Sequence, residues 1–317
     1  MQFYFAPMEG ITGYVVRNAF FHHFNLIGKY FTPFIPSAKK MNYKIARDLA
    51  PENNHHMNVV PQLISNNAED VLLMEEQLID LGYTSVNLNL GCPSGTVVNK
   101  GRGSGALADV EHLDAMLYEI FDKTKMPLSI KTRIGIRDES EWDAILSVYE
   151  KYSMEELIIH PRLQKDFYKG HCRMEAFAKA QKHISKTSLC YNGDICTVAD
   201  YQRFTEAFPG IDKVMIGRGL LMHPDLIEQI TGVNQGELRP RLISWYDEIY
   251  ENYNANFSGE KDTMMHMKEM WFYLGQSFLD CEKDLKKLKK ANQPAEFKAI
   301  ASHILREAPF NESYKAC

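Results

Sequence analysis

Residues 85–95 read Ser-Val-Asn-Leu-Asn-Leu-Gly-Cys-Pro-Ser-Gly. The first six form a short apolar strand. Gly91, Pro93 and Gly95 then set a loop, and Cys92 sits in it directly after the strand, three residues beyond Asn89. A cysteine so placed is presented at the end of a sheet rather than packed inside it. Similar β-rich runs recur at helix-sized intervals: 3–6, 27–31, 58–64, 128–132, 156–160, 188–191 and 213–216. Between them the spacing predicts helices over 68–81, 109–121, 141–152 and 199–208. In the first of these Val71, Met74, Leu78 and Leu81 make one stripe behind Asn66-Asn67. Eight strands alternating with helices predict an α/β fold, a (β/α)8 TIM barrel. A doubly wound open sheet is the alternative; the strand count and the lack of Gly-x-Gly-x-x-Gly after the first strand count against it.

Around Gly232–Pro240 the pattern changes, and no strand is readable beyond it. Leu242, Tyr246, Ile249, Tyr250 and Tyr253 make one helical stripe, and Met264, Met267, Trp271, Leu274 and Phe278 a second. Phe297, Ile300, Ala301 and Ile304 make a third. The expected organisation is a catalytic barrel over 1–235 and a small C-terminal helical bundle over 236–317, with the methionines of 264–270 as core filling.

The 317 residues are 45% apolar and 24% charged, an ordinary globular composition. A net charge of −5 disfavours coating nucleic acid by bulk charge but allows a local basic face. No run approaches eighteen apolar residues, and the start of the chain lacks signal-peptide character, so no membrane association is expected. The six cysteines (92, 172, 190, 196, 281 and 317) show no paired C-x-x-C spacing. That argues against a metal site or a secreted disulfide framework and for a cytoplasmic setting.

Barrel enzymes carry their chemistry at the C-terminal ends of the strands. In strand order those ends offer Pro7-Met8-Glu9, Gln62, Asn89 with Cys92, Lys131 with Arg133, His160, Asn192-Gly193-Asp194 and Gly217-Arg218-Gly219. Polar groups repeated at one end of apolar strands predict a ligand-facing rim. The last two turns lie where barrels bind phosphate, although each alone also suits a tight connection. Lys131 reads as a rim lysine paired to a carboxylate, a cation aimed at developing negative charge, or a Schiff-base amine. His160 is either a satisfied core histidine or a ligand contact. A free thiol has a pKa near about 8.5, so Cys92 can donate a proton without special activation.

In order along the chain stand Ala6-Pro-Met-Glu-Gly10, Pro61-Gln-Leu63, Asn87-Leu-Asn-Leu-Gly-Cys-Pro-Ser94 and Gly101-Arg-Gly-Ser-Gly-Ala-Leu107. Ser129-Ile-Lys-Thr-Arg133, Ile159-His160, Tyr191-Asn-Gly-Asp-Ile195 and Met215-Ile-Gly-Arg-Gly219 follow. With this set the whole chain resembles the tRNA-dihydrouridine synthases, FMN-dependent barrels with a helical domain. The resemblance implies reduction of the uridine C5–C6 bond in tRNA, with hydride from flavin N5 to C6. Cys92 would be the general acid that protonates C5. It implies FMN held by Pro7, Met8, Glu9, Gln62, Lys131, His160, Asn192, Gly193, Asp194, Gly217 and Arg218, with NADPH as transient reductant. Asn89, Arg133 and Tyr168 would hold the flipped uracil. Many members carry a His-Gly-Arg-Thr-Arg-like run where this chain has His160-Pro-Arg-Leu-Gln164; Pro161 fixes φ there.

The densest basic run is Glu282-Lys-Asp-Leu-Lys-Lys-Leu-Lys-Lys290. As a helix it places Lys283, Lys286, Lys287 and Lys290 on one face, an expected tRNA contact alongside Lys100 and Arg102. No obligatory protein partner is implied, and a monomer is expected. The competing readings are a flavin-dependent reductase of a free pyrimidine or small enone, a Schiff-base aldolase using Lys131, and a non-catalytic RNA-binding protein.

Overall fold

The computed structural model describes residues 1–37, 41–54, 56–256 and 259–311. They fall into two compact units. One holds Met1–Pro7, Lys29–Gly193 and Ala207–Met215; the other holds Met8–Gly28, Asp194–Glu206 and the chain from Ile216 on.

The first unit is built on parallel strands close to the expected places. They are β1 (Gln2–Phe5), β2 (Lys29–Phe31 and Ile35–Pro36), β3 (Val59–Val60 and Gln62–Ile64) and β4 (Val86–Leu90). β5 (Leu128–Thr132), β6 (Glu156–Ile159), β7 (Ser188–Asn192) and β8 (Lys213–Ile216) follow. The pairing runs from β3 through β4 to β8, then to β1 and β2. Both halves of β2 pair with the matching halves of β3, so the sheet returns to its start and closes. Pro61 splits β3 because it has no N–H to give the ladder. The Thr32 hydroxyl bridges the gap by accepting from the Gln62 N–H at 3.0 Å. The barrel expectation holds and the open-sheet alternative does not.

Inside the barrel Tyr4, Ala6, Phe31, Val60, Ile158, Cys190 and Met215 form an apolar plug. Register aligns Asn89, Lys131, Ile158 and Cys190 in one row, so these side chains share the inward face. Toward the N-terminal ends of the strands the interior holds buried Glu156. It accepts from the Tyr4 hydroxyl at 2.5 Å and pairs with Lys213 at 3.0 Å and Lys29 at 3.2 Å. That end is a stabilising lock, which leaves the C-terminal ends for chemistry.

Outside the sheet, Ala68–Asp80 buries Val71, Met74 and Leu78 and is capped by Asn67, whose side chain accepts from the Asp70 N–H at 3.1 Å. Val110–Lys123 is capped the same way by Asp109 and buries Leu113, Leu117 and Ile120.

In the second unit, Leu238–Asn256, Glu260–Leu274 and Pro294–Glu307 bury the three expected stripes, apart from Ile300, which is half-buried, and Phe278, which is buried but lies past the end of its helix. Met264, Met267 and Met270 are core, whereas Met265 is 57% exposed. Helix Tyr14–His23 belongs to this unit: Phe20 and Phe24 meet the Trp245 ring edge-on at 5.2 and 6.2 Å. Both His22 and His23 contact Glu248, at 2.8 and 2.9 Å.

Cys92, Cys172, Cys190 and Cys281 carry free thiols. No cluster of metal-ligating side chains occurs among the described residues, and no described helix is long and apolar enough to cross a membrane.

Candidate active site

Inward polar side chains form a chain across β3, β4 and β5, which starts at Asn89 toward the C-terminal end of β4 and runs back to Ser129 near the start of β5. Asn89 Nδ2 donates to Gln62 Oε1 at 2.7 Å, and Gln62 Nε2 donates to Asn87 Oδ1 at 2.7 Å. Asn87 Nδ2 then donates to Ser129 Oγ at 2.8 Å. All four residues are buried. Such a row is fixed in direction, because each amide can turn only by breaking two bonds. The other end of Asn89 shapes the next loop: Oδ1 accepts from the Gly91 N–H at 3.0 Å and the Cys92 N–H at 2.9 Å.

Cys92 is held from its other side as well. Its carbonyl accepts from the Ser104 N–H at 3.0 Å and from Ser104 Oγ at 2.9 Å. Short helices Gly95–Val98 and Gly103–Ala108 fold the intervening chain back over it. The thiol is thus half-buried on a loop anchored at both ends, and it lies in electrostatic range of Lys131 and Arg133. Those cations favour the thiolate that remains after the proton is given up.

Lys131 projects inward beside Asn89. Burial and then the Arg133 charge push its ammonium down to about 8, with cysteines 190, 92 and 172 acting the other way. No ion pair or hydrogen bond to a described residue holds Nζ, so the carboxylate-paired reading is not the one realised. A buried ammonium without a counter-ion is the arrangement expected where an anionic ligand group completes the site.

Arg133 is 1% exposed and spends its guanidinium on backbone: Gly91 O at 2.9 Å, Leu163 O at 2.8 Å and Phe167 O at 2.7 Å. It ties the loop after β4 to the loop after β6, with its Cζ 5.5 Å from the centre of the Tyr168 ring. His160 lies at the base of that loop, 6.4 Å from the same ring. Arg162 fills the place after Pro161. It is fully buried, and its guanidinium donates to Gly170 O at 2.6 Å, Lys169 O at 3.3 Å and His160 Nε2 at 3.0 Å. A guanidinium has no acceptor, so Nε2 accepts and the His160 proton sits on Nδ1. Tyr168, 57% exposed, is the aromatic face this loop offers to solvent.

Residues at the ends of β1, β7 and β8 divide between the units. In the first, Asn192 Nδ2 donates to Met215 O at 2.8 Å, and Gly193 is required by a close approach, since a Cβ there would collide with the Tyr191 hydroxyl. Pro7 is half-buried. In the second, Arg218 and Asp194 form an ion pair at 2.7 Å, so Arg218 would bring a partly neutralised charge to any phosphate. Gly217 precedes the short helix Arg218–Met222. Met8 closes a turn with Thr12, its N–H donating to the hydroxyl at 2.7 Å, and Glu9 is exposed.

The expected basic helix is Glu282–Lys290. Lys283, Lys286, Lys287 and Lys290 are exposed and Leu288 is buried; Lys287 is paired with Asp284 at 3.2 Å. Lys289 is exposed too, which widens the face beyond the four expected. Lys100 is exposed in the loop beyond Cys92, while Arg102 lies 3.9 Å from Asp70. The sequence reading missed the anchoring by Ser104 and the amide chain through Asn87 and Ser129. All three lie inside the quoted motifs, but their partners are distant in sequence.

Three comparisons bear on this arrangement. The family model described as dihydrouridine synthase (Dus) matches residues 4–310. A probable tRNA-dihydrouridine synthase of Staphylococcus epidermidis is 28% identical over 285 residues, 84% of this chain and 82% of that protein. The tRNA-dihydrouridine(16) synthase of Aquipseudomonas alcaligenes is 28% identical over 263 residues, covering 77% and 79%. Among solved structures, morphinone reductase superposes with a TM-score of 0.52 at 12% identity, covering 74% of this chain and 87% of that one. TcOYE with pHBA gives 0.53 at 10% identity, covering 78% and 92%. At such identities the likeness is one of fold, and it is the barrel fold derived above.

Proposed function

The chain belongs to the dihydrouridine synthase family, and we propose that it reduces the C5–C6 bond of specific uridines in tRNA to dihydrouridine, with bound FMN and NADPH as transient reductant. Cys92 carries this reading: a half-buried thiol fixed by Asn89 and Ser104 near two cations. FMN, when bound and reduced, would supply the hydride. Protein side chains do the rest. Cys92 gives its proton to C5 of the uracil, and Lys131 and Arg133 stabilise the thiolate left behind.

The flavin would be held by Lys131, Gln62 and His160 at its polar ring edge, with Pro7, Met8 and Glu9 along it. Asn192, Gly193, Asp194, Gly217 and Arg218 would take the phosphate end. The residues of the first unit fit such a group: the Lys131 ammonium, paired with no described residue, supplies a charge for an anionic edge. Tyr168 and Arg133 would wall the flipped base, with Asn89 beneath it. Residues 236–317 would act as the RNA-binding domain, with Lys283, Lys286, Lys287 and Lys290 on phosphates and Lys100 and Arg102 near the site. The setting would be cytoplasmic and the protein a monomer.

The family match counts against an aldolase and against a silent RNA-binding protein. Two measurements test the proposal. Dihydrouridine should be lost from specific tRNA positions in cells lacking the protein and return when it is restored. Cys92→Ala should keep bound FMN and its reduction by NADPH while uridine reduction falls at least 100-fold, the usual scale for a general acid. Unchanged turnover would remove Cys92 from the acid role.

A further inference from the structure

We propose that the pocket between the loops following β4, β5 and β6 binds a backbone phosphate of the RNA whose uridine enters the barrel. This rests on the tRNA reading above. The pocket, about 310 Å3, is lined by Val98, Gly105 and Ala108 from the first loop, Ile136 and Arg137 from the second, and Gln164 and Lys165 from the third. The backbone stitches these loops together: Gln164 N–H donates to Gly135 O at 2.9 Å and Lys165 N–H to Ile136 O at 3.1 Å. The same loops build the active site. Ser104, beside Gly105, anchors Cys92, and Arg133 holds the Leu163 carbonyl.

Charge direction distinguishes this pocket from an ordinary surface cleft. Four carboxylates lie on the second and third loops or just beyond, and each is turned to internal work. Glu141 accepts from the Ile136, Arg137 and Asp138 N–H groups at 2.6 to 2.9 Å. Asp138 accepts from the Ser140 N–H at 2.9 Å. Asp166 accepts from the Leu163 N–H at 2.9 Å and, like Glu139, from Arg173 at 2.5 Å. Arg137 and Lys165 are exposed and form no ion pair among the described residues, although Lys165 acts on Asp138 and Asp166 at longer range. Two cations therefore converge on a small recess while the acids nearby are spent on backbone N–H groups and Arg173. The recess suits a tetrahedral anion, and flipping a base requires a grip on the backbone beside it.

The test compares the full-length, FMN-loaded protein with the Arg137→Ala/Lys165→Ala double variant, on tRNA lacking dihydrouridine. The variant should bind tRNA about tenfold more weakly, and its log Kd against log salt should be shallower by about 1 to 2. FMN content and flavin reduction by NADPH should match the parent, and Arg137→Lys/Lys165→Arg should restore tRNA binding. Equal tRNA affinity and an equal salt slope would overturn the proposal. So would a raised KM for NADPH with intact tRNA binding, which would assign the recess to the reductant's phosphates. If the parent protein itself neither binds nor reduces tRNA, the functional reading falls, and this inference with it.

Discussion

An ammonium withdrawn from water without a counter-ion destabilises the fold that contains it, and the half-buried Lys131 carries such a group, with no counter-ion among the described residues. Its ammonium titrates near about 8 in the folded chain, against about 10.4 in an unfolded one. Below pH 8 both states carry the proton, and the folded state bears the full desolvation penalty. Between those two values only the unfolded state is protonated, so stability rises with pH; above them the penalty is gone. The gap corresponds to at most about 3 kcal/mol, less where water reaches the half-buried residue. Lys131→Met should therefore raise the apoprotein's melting temperature at pH 7, with the advantage shrinking as pH climbs from 8 to 10. Thermal melts across that range decide it, and a variant no more stable than its parent at pH 7 would refute the account. The same substitution should weaken FMN binding, because the penalty is retained for the ligand. Arg162 shows a related economy: one buried guanidinium fixes the His160 proton on Nδ1 and also holds the carbonyls of Lys169 and Gly170.

Among the elements, the loop from Gly91 to Ala108 separates what the sequence reveals from what it hides. The strands were legible because alternation and apolar runs depend on local geometry, and β5 and β8 match the expected residues throughout. Helices Tyr14–His23 and Met174–His183 were not, since the first buries Arg17 among its apolar residues and the second buries mainly small residues, Ala176 and Ala180, around Phe177. The position of Cys92 at a strand end was legible too. What holds it there was not: the partners of Asn89 and Arg133 are backbone groups on other segments, and no period in the chain announces them. An expectation that these two polar side chains face the base sees only half their bonding, because Asn89 Oδ1 and the Arg133 guanidinium are engaged with loop backbone. Gly103 tests the loop as a unit. It has φ +57°, and a Cβ there would lie 2.7 Å from the Cys92 carbonyl oxygen and 2.9 Å from Val97. Gly103→Ala should displace Cys92 and cost about 1–3 kcal/mol through strain. Turnover should drop at least tenfold while FMN content stays near the parent level. Full turnover, measured beside a lowered melting temperature, would mean the loop relaxes without moving the thiol.

For the molecule as a whole the problem is how a chain of net charge −5 would bind the polyanion proposed as its substrate. Bulk charge opposes the encounter, so affinity must come from local cation clusters that release counterions from the RNA. Helix Glu282–Lys290 is the densest such cluster, and its lysines are not equivalent. Lys287 already has Asp284 at 3.2 Å and would gain less from a phosphate than Lys286 or Lys290. Replacing Lys286, Lys287 and Lys290 with Ala should weaken tRNA binding and lower the salt slope by about 2 rather than 3. If this helix and the Arg137–Lys165 recess contact different phosphates, combining the two sets of substitutions should add their losses in binding free energy to within about 0.3–0.5 kcal/mol. Titrations at several salt concentrations, with the parent and the three variants side by side, give all of these slopes. A triple variant with the parental slope would exclude the lysine face from the RNA interface. A combined loss well below the sum would show that the two clusters share a phosphate or compete for the same stretch of RNA.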